Sequence, residues 1–238
     1  MSFDYPLWRE ILAALQARSA ADLAFTVAQE QSLYPADAWR GTFIGNHDQT
    51  RVATLFSLPR RDERRLKLAA SLLLTLPGTP FIYYGEEIGM ADGPGGGDLA
   101  KRLPLRWAAG DDFGFSNVPA WAEPGAATPG VSVAEQYEDP DSLWWHYRRL
   151  ISLRRIHPAL YSGSTTVVDV GSRAVLALLR EAQGERLLVV ANLAARATHI
   201  DLSGLAVAGA VDVLTGAELA SDAGLEVQAL GLVVLRLP

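Results

Sequence analysis

The sequence predicts an α/β fold followed by an antiparallel β-sandwich, and two patterns along the chain indicate this order. Over about the first 90 residues, apolar strand-like runs alternate with helical periodicity at the spacing of βαβ units, which build parallel sheets. After about Tyr161, short β-rich runs recur about every 8 to 12 residues, separated by glycine-containing turns. We therefore predict two domains, residues 1–160 and 161–238.

The first predicted helix begins near Pro6, because a proline at the first helical position lacks only an N–H that would be unsatisfied anyway. Phe3–Tyr5 is a possible strand end before it. Apolar side chains at helical spacing then share one face: Leu7, Ile11, Leu12, Ala14 and Leu15. Ser19–Leu33 fits either more helix or a loop, and Trp39–Ile44 is predicted to be a strand.

A second amphipathic helix is predicted within residues 60–78. Asp62 and Glu63 favour its start, where carboxylates complement the helix dipole, and Pro77–Gly78 lie past its end. The next run, Phe81–Tyr84, is continuously apolar or aromatic. Such a run is typical of a strand covered on both faces in a parallel sheet.

Residues 91–141 lose all periodicity and are rich in glycine, proline and aromatic side chains, which predicts a functional rim. Its DGPGGGD segment lacks the Lys-Ser/Thr of a phosphate loop and the acidic alternation of a calcium loop, so we predict a mobile lid. A helix then follows, capped by Asp139 or Asp141 and ended by Pro158.

The composition excludes several classes of function. A net charge of −6 argues against binding to nucleic acid or to an anionic membrane surface, since both require concentrated positive charge. With no cysteine, the chain has no disulfide, thiolate nucleophile or thiolate metal site. The opening residues lack the basic start and apolar core of a signal peptide, which favours the cytoplasm. The longest apolar run, Leu68–Leu76, is too short to span a membrane.

The stretch GTFIGNHDQTR, Gly41 to Arg51, is the richest in chemistry. An apolar strand stops at Gly45 and is followed by Asn46, His47 and Asp48, at the carboxyl end where parallel α/β folds carry their reactive groups. A carboxylate here can stabilise a cationic transition state or bind sugar hydroxyls, and the imidazole can add a hydrogen bond. Alternatively, His47 and Asp48 only close the turn and Asp48 caps the next helix.

Several further motifs accompany this stretch in order: LAASLLLTLPGTPFIYYGEEIGM, KRLPLRW, GFS and VSVAEQYEDPDSLWWHYRRLISLRRIHPAL. Together they resemble the C-terminal half of the α-amylase family of glycoside hydrolases, between the oligo-1,6-glucosidase and neopullulanase types. The resemblance runs from about Phe3 to Tyr161. It implies a partial (β/α)₈ TIM barrel, about strands six to eight with their helices, followed by the β-sandwich that the family carries.

The resemblance also implies roles for single residues. Asp48 matches the catalytic carboxylate that stabilises the transition state and binds hydroxyls of the distorted sugar, and His47 matches a residue that hydrogen-bonds the same sugar. Asn46 and Arg51 complete the expected substrate-binding set, although an ion pair is an equal alternative for Arg51. Glu86 and Glu87 match a motif that looks structural in the family. KRLPLRW departs from the family pattern at its centre, which leaves Arg102 and Trp107 without an assigned role.

Retaining glycoside hydrolysis needs a nucleophilic carboxylate and an acid about 5 to 5.5 Å apart, and Asp48 matches neither of them. In the family these groups lie at the ends of strands four and five. We therefore expect a chain that begins near strand six, is inactive alone, and either completes its barrel with an N-terminal half on a separate chain or self-associates through open strand edges. The expected substrate is an α-glucan or maltooligosaccharide, and neither a cofactor nor a metal is predicted.

Two other hypotheses stand beside this one. In the first, the chain is a non-catalytic carbohydrate-binding or assembly module, whose sandwich or tryptophan-rich rim binds sugar. The tryptophans concerned are Trp107, Trp121, Trp144 and Trp145. In the second, the chain is a small self-sufficient hydrolase that uses Asp48 with Glu86, since adjacent strand ends lie about 5 Å apart.

Overall fold

A computed structural model describes residues 1–35, 38–56, 62–110, 113–122, 128–219 and 224–238. The chain folds into two compact units, each assembled from segments that are distant in sequence. Unit 1 comprises Met1–Thr42, Ser71–Pro80 and Leu150–Pro238. Unit 2 comprises Phe43–Ala70 and Phe81–Arg149.

Helices and strands alternate in the first half of the chain, and strands dominate the last third. The helices are α1 (Tyr5–Ala17), α2 (Ala21–Leu33), α3 (Val52–Leu55), α4 (Glu63–Thr75), α5 (Gly97–Lys101), α6 (Val133–Glu138), α7 (Leu143–Ile156) and α8 (Pro158–Tyr161), with a 3₁₀ turn at Glu86–Ile88. The strands are β1 (Ser2–Phe3), β2 (Arg40–Phe43), β3 (Thr79–Phe81), β4 (Ser164–Val168), β5 (Val175–Ala182), β6 (Glu185–Asn192), β7 (Thr198–Ile200), β8 (Val211–Asp212), β9 (Leu225–Val227) and β10 (Leu232–Arg236).

The barrel portion contributes a three-stranded sheet in the order β1-β2-β3, in which β1 pairs parallel with β2. The Asp4 carboxylate starts α1, because its Oδ1 accepts a hydrogen bond from the Leu7 N–H at 3.0 Å. All five apolar residues of the predicted α1 face are buried, which confirms the helical pattern. Gly78 has φ +99, and a Cβ there would collide with the Thr42 side chain, so only glycine fits this turn.

The sandwich portion lies wholly in unit 1, and its strands fall where the sequence predicts them. Five antiparallel strands form one sheet in the order β4-β5-β6-β10-β8, and β7 pairs with β9 in a second, two-stranded sheet. Aliphatic side chains from both sheets share one core, including Val175, Ala177, Leu188, Val190, Ile200, Val227 and Leu235. Burial of this inner face is what holds the two sheets together.

Two buried arginines of unit 1 satisfy main-chain carbonyls in place of carboxylates. Arg154 donates to the carbonyl of Leu74 at 2.9 Å, that of Leu76 at 3.2 Å and that of Gly78 at 2.5 Å, around the end of α4. Arg180 on β5 donates to the Thr75 carbonyl at 2.6 Å. Burial lowers the pKa of Arg154 to about 10 and that of Arg180 to about 9, so both remain charged at neutral pH.

Three sequence predictions are wrong in detail. The strand predicted at Phe81–Tyr84 is instead Thr79–Phe81, and Tyr84 is 38% exposed, so the aromatic run is not covered on both faces. Helix α7 begins at Leu143 and is capped by Ser142, the residue before it, whose Oγ accepts from the Trp145 N–H at 3.3 Å; the Asp139 carboxylate accepts from the Asp141 N–H at 2.9 Å instead. The predicted rim contains the short helices α5 and α6.

Among the residues that the structure describes, no helix combines the length and apolar character needed to cross a membrane.

Candidate active site

The candidate site lies in unit 2, at the turn that follows β2. The side-chain oxygen of Asn46 accepts from the N–H of Asp48 at 2.9 Å and from that of Gln49 at 3.1 Å, which closes the turn. His47 and Asp48 consequently project from the turn, with side chains 61% and 53% exposed. The turn-closing function predicted as an alternative for Asp48 therefore belongs to Asn46, and α3 has no side-chain cap.

One carboxylate oxygen of Asp48 contacts two side chains, those of His47 and Arg102. Its Oδ1 lies 3.3 Å from His47 Nε2 and 3.1 Å from Arg102 Nη2. The same Arg102 Nη2 lies 3.1 Å from Asp98 Oδ2, so one guanidinium bridges an acid in the turn after β2 and an acid in α5. Both described contacts use Oδ1, which leaves Asp48 Oδ2 on a half-exposed side chain to accept from a ligand hydroxyl.

Arg51 is buried beneath this surface, with an exposed fraction of 2%. Its Nε donates to the Lys101 carbonyl at 3.0 Å and its Nη1 to the Tyr84 carbonyl at 2.8 Å. The guanidinium also lies 4.6 Å from the centre of the Tyr83 ring and 4.9 Å from that of Tyr84. These partners are main-chain and aromatic groups of neighbouring loops, so the burial favours a structural role over the predicted substrate contact or ion pair.

Glu86 is a buried acid of unit 2, with an exposed fraction of 8%. Its Oε1 accepts from the Tyr147 hydroxyl at 3.2 Å, and its Oε2 is buried without a hydrogen-bond partner among the described residues. Burial raises the pKa of Glu86 well above its ordinary value, and it also raises the pKa of Glu87. Glu86 is 8% exposed and its described hydrogen bond goes to Tyr147, so the contacts described here do not pair Glu86 with Asp48 as the self-sufficient hydrolase requires.

The aromatic rim divides into exposed and covered tryptophans. Trp107 is 50% exposed and Trp121 is 58% exposed, and the Trp121 ring packs edge-on against Phe115 with centroids 5.2 Å apart. Trp144 and Trp145 are half-buried; their centroids are 5.0 Å apart and the Arg148 guanidinium lies over both rings. Of these four tryptophans, Trp107 and Trp121 are the more exposed, and exposed aromatic rings are the groups on which sugars stack.

A separate cavity of about 160 Å³ lies beside the second arginine of the KRLPLRW motif. Arg106 lines it, 8% exposed, with its guanidinium 4.3 Å from the centre of the Phe113 ring. The residues of the turn after β2 do not line this cavity. Of the two arginines in the motif, Arg102 contacts Asp48 and Arg106 packs within the rim, a distinction that the sequence did not resolve.

Comparison with known proteins accounts for this arrangement. Residues 7–163 match the model of the alpha amylase catalytic domain, and residues 165–231 match that of the maltogenic amylase C-terminal domain. The chain belongs to the alpha-amylase family, and its fold is a part of the catalytic barrel followed by the antiparallel C-terminal domain.

Similar proteins include enzymes of several named activities. The chain is 34% identical to trehalose synthase of Thermus thermophilus, in an alignment that covers 90% of this chain and 26% of the relative. It is 34% identical to alpha-amylase 3 of Dictyoglomus thermophilum, covering 81% of this chain and 38% of the relative. The crystal structure of trehalulose synthase MutB from Pseudomonas mesoacidophila MX-45 superposes with a TM-score of 0.79 at 27% identity, over 92% of this chain and 47% of that one. The chain thus spans less than half the length of each of these relatives.

Proposed function

We propose that this chain supplies the C-terminal part of an α-amylase-type glycosidase that acts on α-linked glucans or maltooligosaccharides by the retaining mechanism. The observation that carries the proposal is the half-exposed Asp48 carboxylate, held at a strand end by His47 and Arg102 with one oxygen left for a ligand. The family membership and the names of the relatives support the substrate class.

In the proposed reaction, Asp48 stabilises the positively charged transition state and accepts hydrogen bonds from hydroxyls of the distorted sugar. His47, 61% exposed beside it, donates a hydrogen bond to the same sugar. Asn46 holds the turn with its side-chain oxygen, so its amide nitrogen is left to contact substrate. Asp48 keeps its negative charge throughout and forms no covalent bond.

The nucleophile and the acid are proposed to come from barrel strands other than the three described here. Retaining hydrolysis places those two carboxyl groups about 5 to 5.5 Å apart across the scissile bond. The exposed Asp48 lies instead beside Asp98, and both carboxylates bind one guanidinium, an arrangement for holding charge and not for double displacement. We accordingly propose that the 238-residue chain has no hydrolytic activity by itself.

The experiment compares the chain alone with a chimera in which it replaces the matching C-terminal segment of the Dictyoglomus alpha-amylase. Both are assayed for release of reducing ends from maltooligosaccharides. We expect no turnover from the isolated chain and measurable turnover from the chimera. Turnover by the isolated chain, or a folded chimera that is inactive, would contradict the proposal.

The domain division at residue 160 is part of the proposal: residues 1–160 form the barrel part and residues 161–238 the sandwich. The two family matches, which end at residue 163 and start at residue 165, support this boundary.

In the three-stranded sheet β1 and β3 are the outer strands, and we propose that these edges pair either with the remaining barrel or with a second copy of this chain. Size-exclusion chromatography with light scattering distinguishes a monomer from a self-associated species.

A second candidate function is a non-catalytic carbohydrate-binding or assembly module. The exposed rings of Trp107 and Trp121 favour it, since open tryptophan faces bind pyranose rings. Calorimetry with maltoheptaose tests it, because a module of this kind binds through its tryptophans and keeps its affinity in Asp48→Asn. Affinity that disappears in Asp48→Asn would favour the glycosidase instead.

A further inference from the structure

Three consecutive main-chain carbonyls of the rim each accept a hydrogen bond from a side chain of another segment. The Lys101 carbonyl accepts from Arg51 Nε at 3.0 Å and from the Tyr83 hydroxyl at 3.0 Å. The Arg102 carbonyl accepts from Trp121 Nε1 at 2.8 Å. The Leu103 carbonyl accepts from the Tyr84 hydroxyl at 2.6 Å.

These donors come from three places along the chain and converge on one short segment. Arg51 lies three residues after Asp48, the tyrosines follow β3, and Trp121 lies in the rim. Side-chain hydrogen bonds to three successive peptide groups fix the path of the backbone, because each peptide plane then has a set orientation. We name this group of four donors, Arg51, Tyr83, Tyr84 and Trp121, the carbonyl cradle.

The segment held by the cradle carries the side chain that meets Asp48. Arg102 lies between the fixed carbonyls of Lys101 and Leu103, and its Nη2 reaches Asp48 Oδ1 at 3.1 Å. The arginine side chain is long and has four rotatable bonds. Whether its guanidinium stays over the half-exposed Asp48 carboxylate therefore depends on where the backbone holds the Arg102 Cα.

The side chains of the cradle are suited to donating these hydrogen bonds continuously. Burial raises the pKa of Tyr83 to about 12, so its hydroxyl keeps the proton that it donates at neutral pH. Arg51 is charged and 2% exposed, and its guanidinium lies against both tyrosine rings, which limits their rotation. The cradle therefore links the turn that bears Asp48 to the rim through side-chain hydrogen bonds.

We propose that the carbonyl cradle is a positioning device, in which Tyr83, Tyr84 and Trp121 act with Arg51 to hold Arg102 over Asp48. Its members are positioning residues that act through Arg102. The inference rests on the proposed function only for its consequence in catalysis, because the arrangement of Arg102 over Asp48 is measurable in the chain itself.

The test uses the 238-residue chain labelled with ¹⁵N-arginine, and follows the guanidinium signals of Arg102 by NMR; the Arg102→Lys variant assigns them by their loss. Tyr84→Phe and Trp121→Phe each remove one donor and keep an aromatic ring. Tyr137→Phe is the matched control, because its ring is 54% exposed and packs near Trp144, outside the cradle.

In the unaltered chain we expect separate Nη signals for Arg102, because a guanidinium bound to two carboxylates rotates slowly. Tyr84→Phe and Trp121→Phe each remove one hydrogen bond to the segment that carries Arg102, and each is expected to speed the rotation of the guanidinium about tenfold while lowering the melting temperature by only a few degrees. Tyr137→Phe is expected to leave the signals unchanged. Unchanged signals in both cradle variants, equal changes in Tyr137→Phe, or a freely rotating Arg102 in the unaltered chain would each overturn the inference.

A kinetic comparison in the active chimera adds the consequence for catalysis. A misplaced Arg102 leaves Asp48 in a wider range of orientations, so Tyr84→Phe should lower kcat about tenfold with little change in KM. A Tyr84→Phe chimera with unaltered kcat would overturn the positioning role. If the unaltered chimera is inactive, the proposed function fails, and the NMR comparison still decides whether the cradle positions Arg102.

Discussion

Replacing Arg51 with methionine separates a structural role for this side chain from a substrate-binding one. Methionine is unbranched and resembles the aliphatic stem of arginine, and it removes the guanidinium. The variant loses two hydrogen bonds from a charged donor, to the carbonyls of Lys101 and Tyr84, and it leaves those carbonyls enclosed without that donor. It also loses the contact of the cation with the rings of Tyr83 and Tyr84.

The magnitude follows from these contacts. Two hydrogen bonds from a charged donor contribute about 3 to 6 kcal/mol, and cation–π contact at a desolvated site adds about 1 to 2 kcal/mol. The methionine side chain recovers about 2 kcal/mol by burying apolar surface at a position that is 2% exposed. We therefore expect Arg51→Met to lower the free energy of unfolding by about 2 to 6 kcal/mol, a large part of the total for a domain of this size.

Urea unfolding followed by tryptophan fluorescence measures this change. Arg148→Met is the matched control, since Arg148 also lies over two aromatic rings, Trp144 and Trp145, but is exposed. Its loss should cost less than about 1 kcal/mol. Equal stability of Arg51→Met and the unaltered chain, together with a raised KM in the chimera, would refute the structural role and assign Arg51 to substrate binding.

Three further predictions concern stability. Arg154→Met removes the donor from three carbonyls around the end of α4 and should cost about 3 to 5 kcal/mol in urea unfolding, whereas a similar loss in the exposed neighbour Arg155→Met would contradict this reasoning. Burial lowers the pKa of His146 from 6.5 to about 4, so the unfolded chain binds a proton first and the stability falls by about 3 kcal/mol as the pH drops through this window. His146→Gln should flatten that dependence, and an unchanged pH profile would exclude it. Glu86 changes the stability in the opposite direction, because burial raises its pKa. Above the ordinary pKa of a glutamate, the unaltered chain loses up to about 1.4 kcal/mol of stability per pH unit, so the stability of Glu86→Gln relative to the unaltered chain should rise with pH. A stability difference between Glu86→Gln and the unaltered chain that is constant from pH 5 to about pH 8 would contradict the buried neutral acid.

Local sequence patterns predict those helices and strands whose side chains are placed by one regular repeat of apolar residues. Helix α1 follows from five apolar residues on one face, and strands β5 and β6 follow from apolar runs bounded by turn residues. The aromatic run Phe81–Tyr84 misleads, because its tyrosines do not fill a two-sided core. Their hydroxyls bind rim carbonyls about 20 residues away and their rings contact Arg51, an arrangement that no local pattern records.

The candidate site is predictable in part for the same reason. Asn46, His47 and Asp48 are conspicuous because polar side chains follow an apolar strand directly. The partner of Asp48 is not conspicuous in the sequence. Arg102 lies 54 residues further along the chain, and it contacts the carboxylate only because the rim folds back towards the turn after β2. The burial of Arg51 is equally hidden, because its sequence neighbours give no sign that its guanidinium will contact the carbonyls of Lys101 and Tyr84.

The most direct test of the account compares two carboxylates that lie the same distance from one guanidinium. Asp48 Oδ1 and Asp98 Oδ2 are each 3.1 Å from Arg102 Nη2, so Asp48→Asn and Asp98→Asn each remove one charge pair with Arg102 of the same length. In the amylase chimera we predict that Asp48→Asn lowers kcat by about 10³-fold or more, and that Asp98→Asn changes it by less than about tenfold. Equal losses in the two variants, or full activity in Asp48→Asn, would contradict the assignment of Asp48 as the transition-state-stabilising carboxylate.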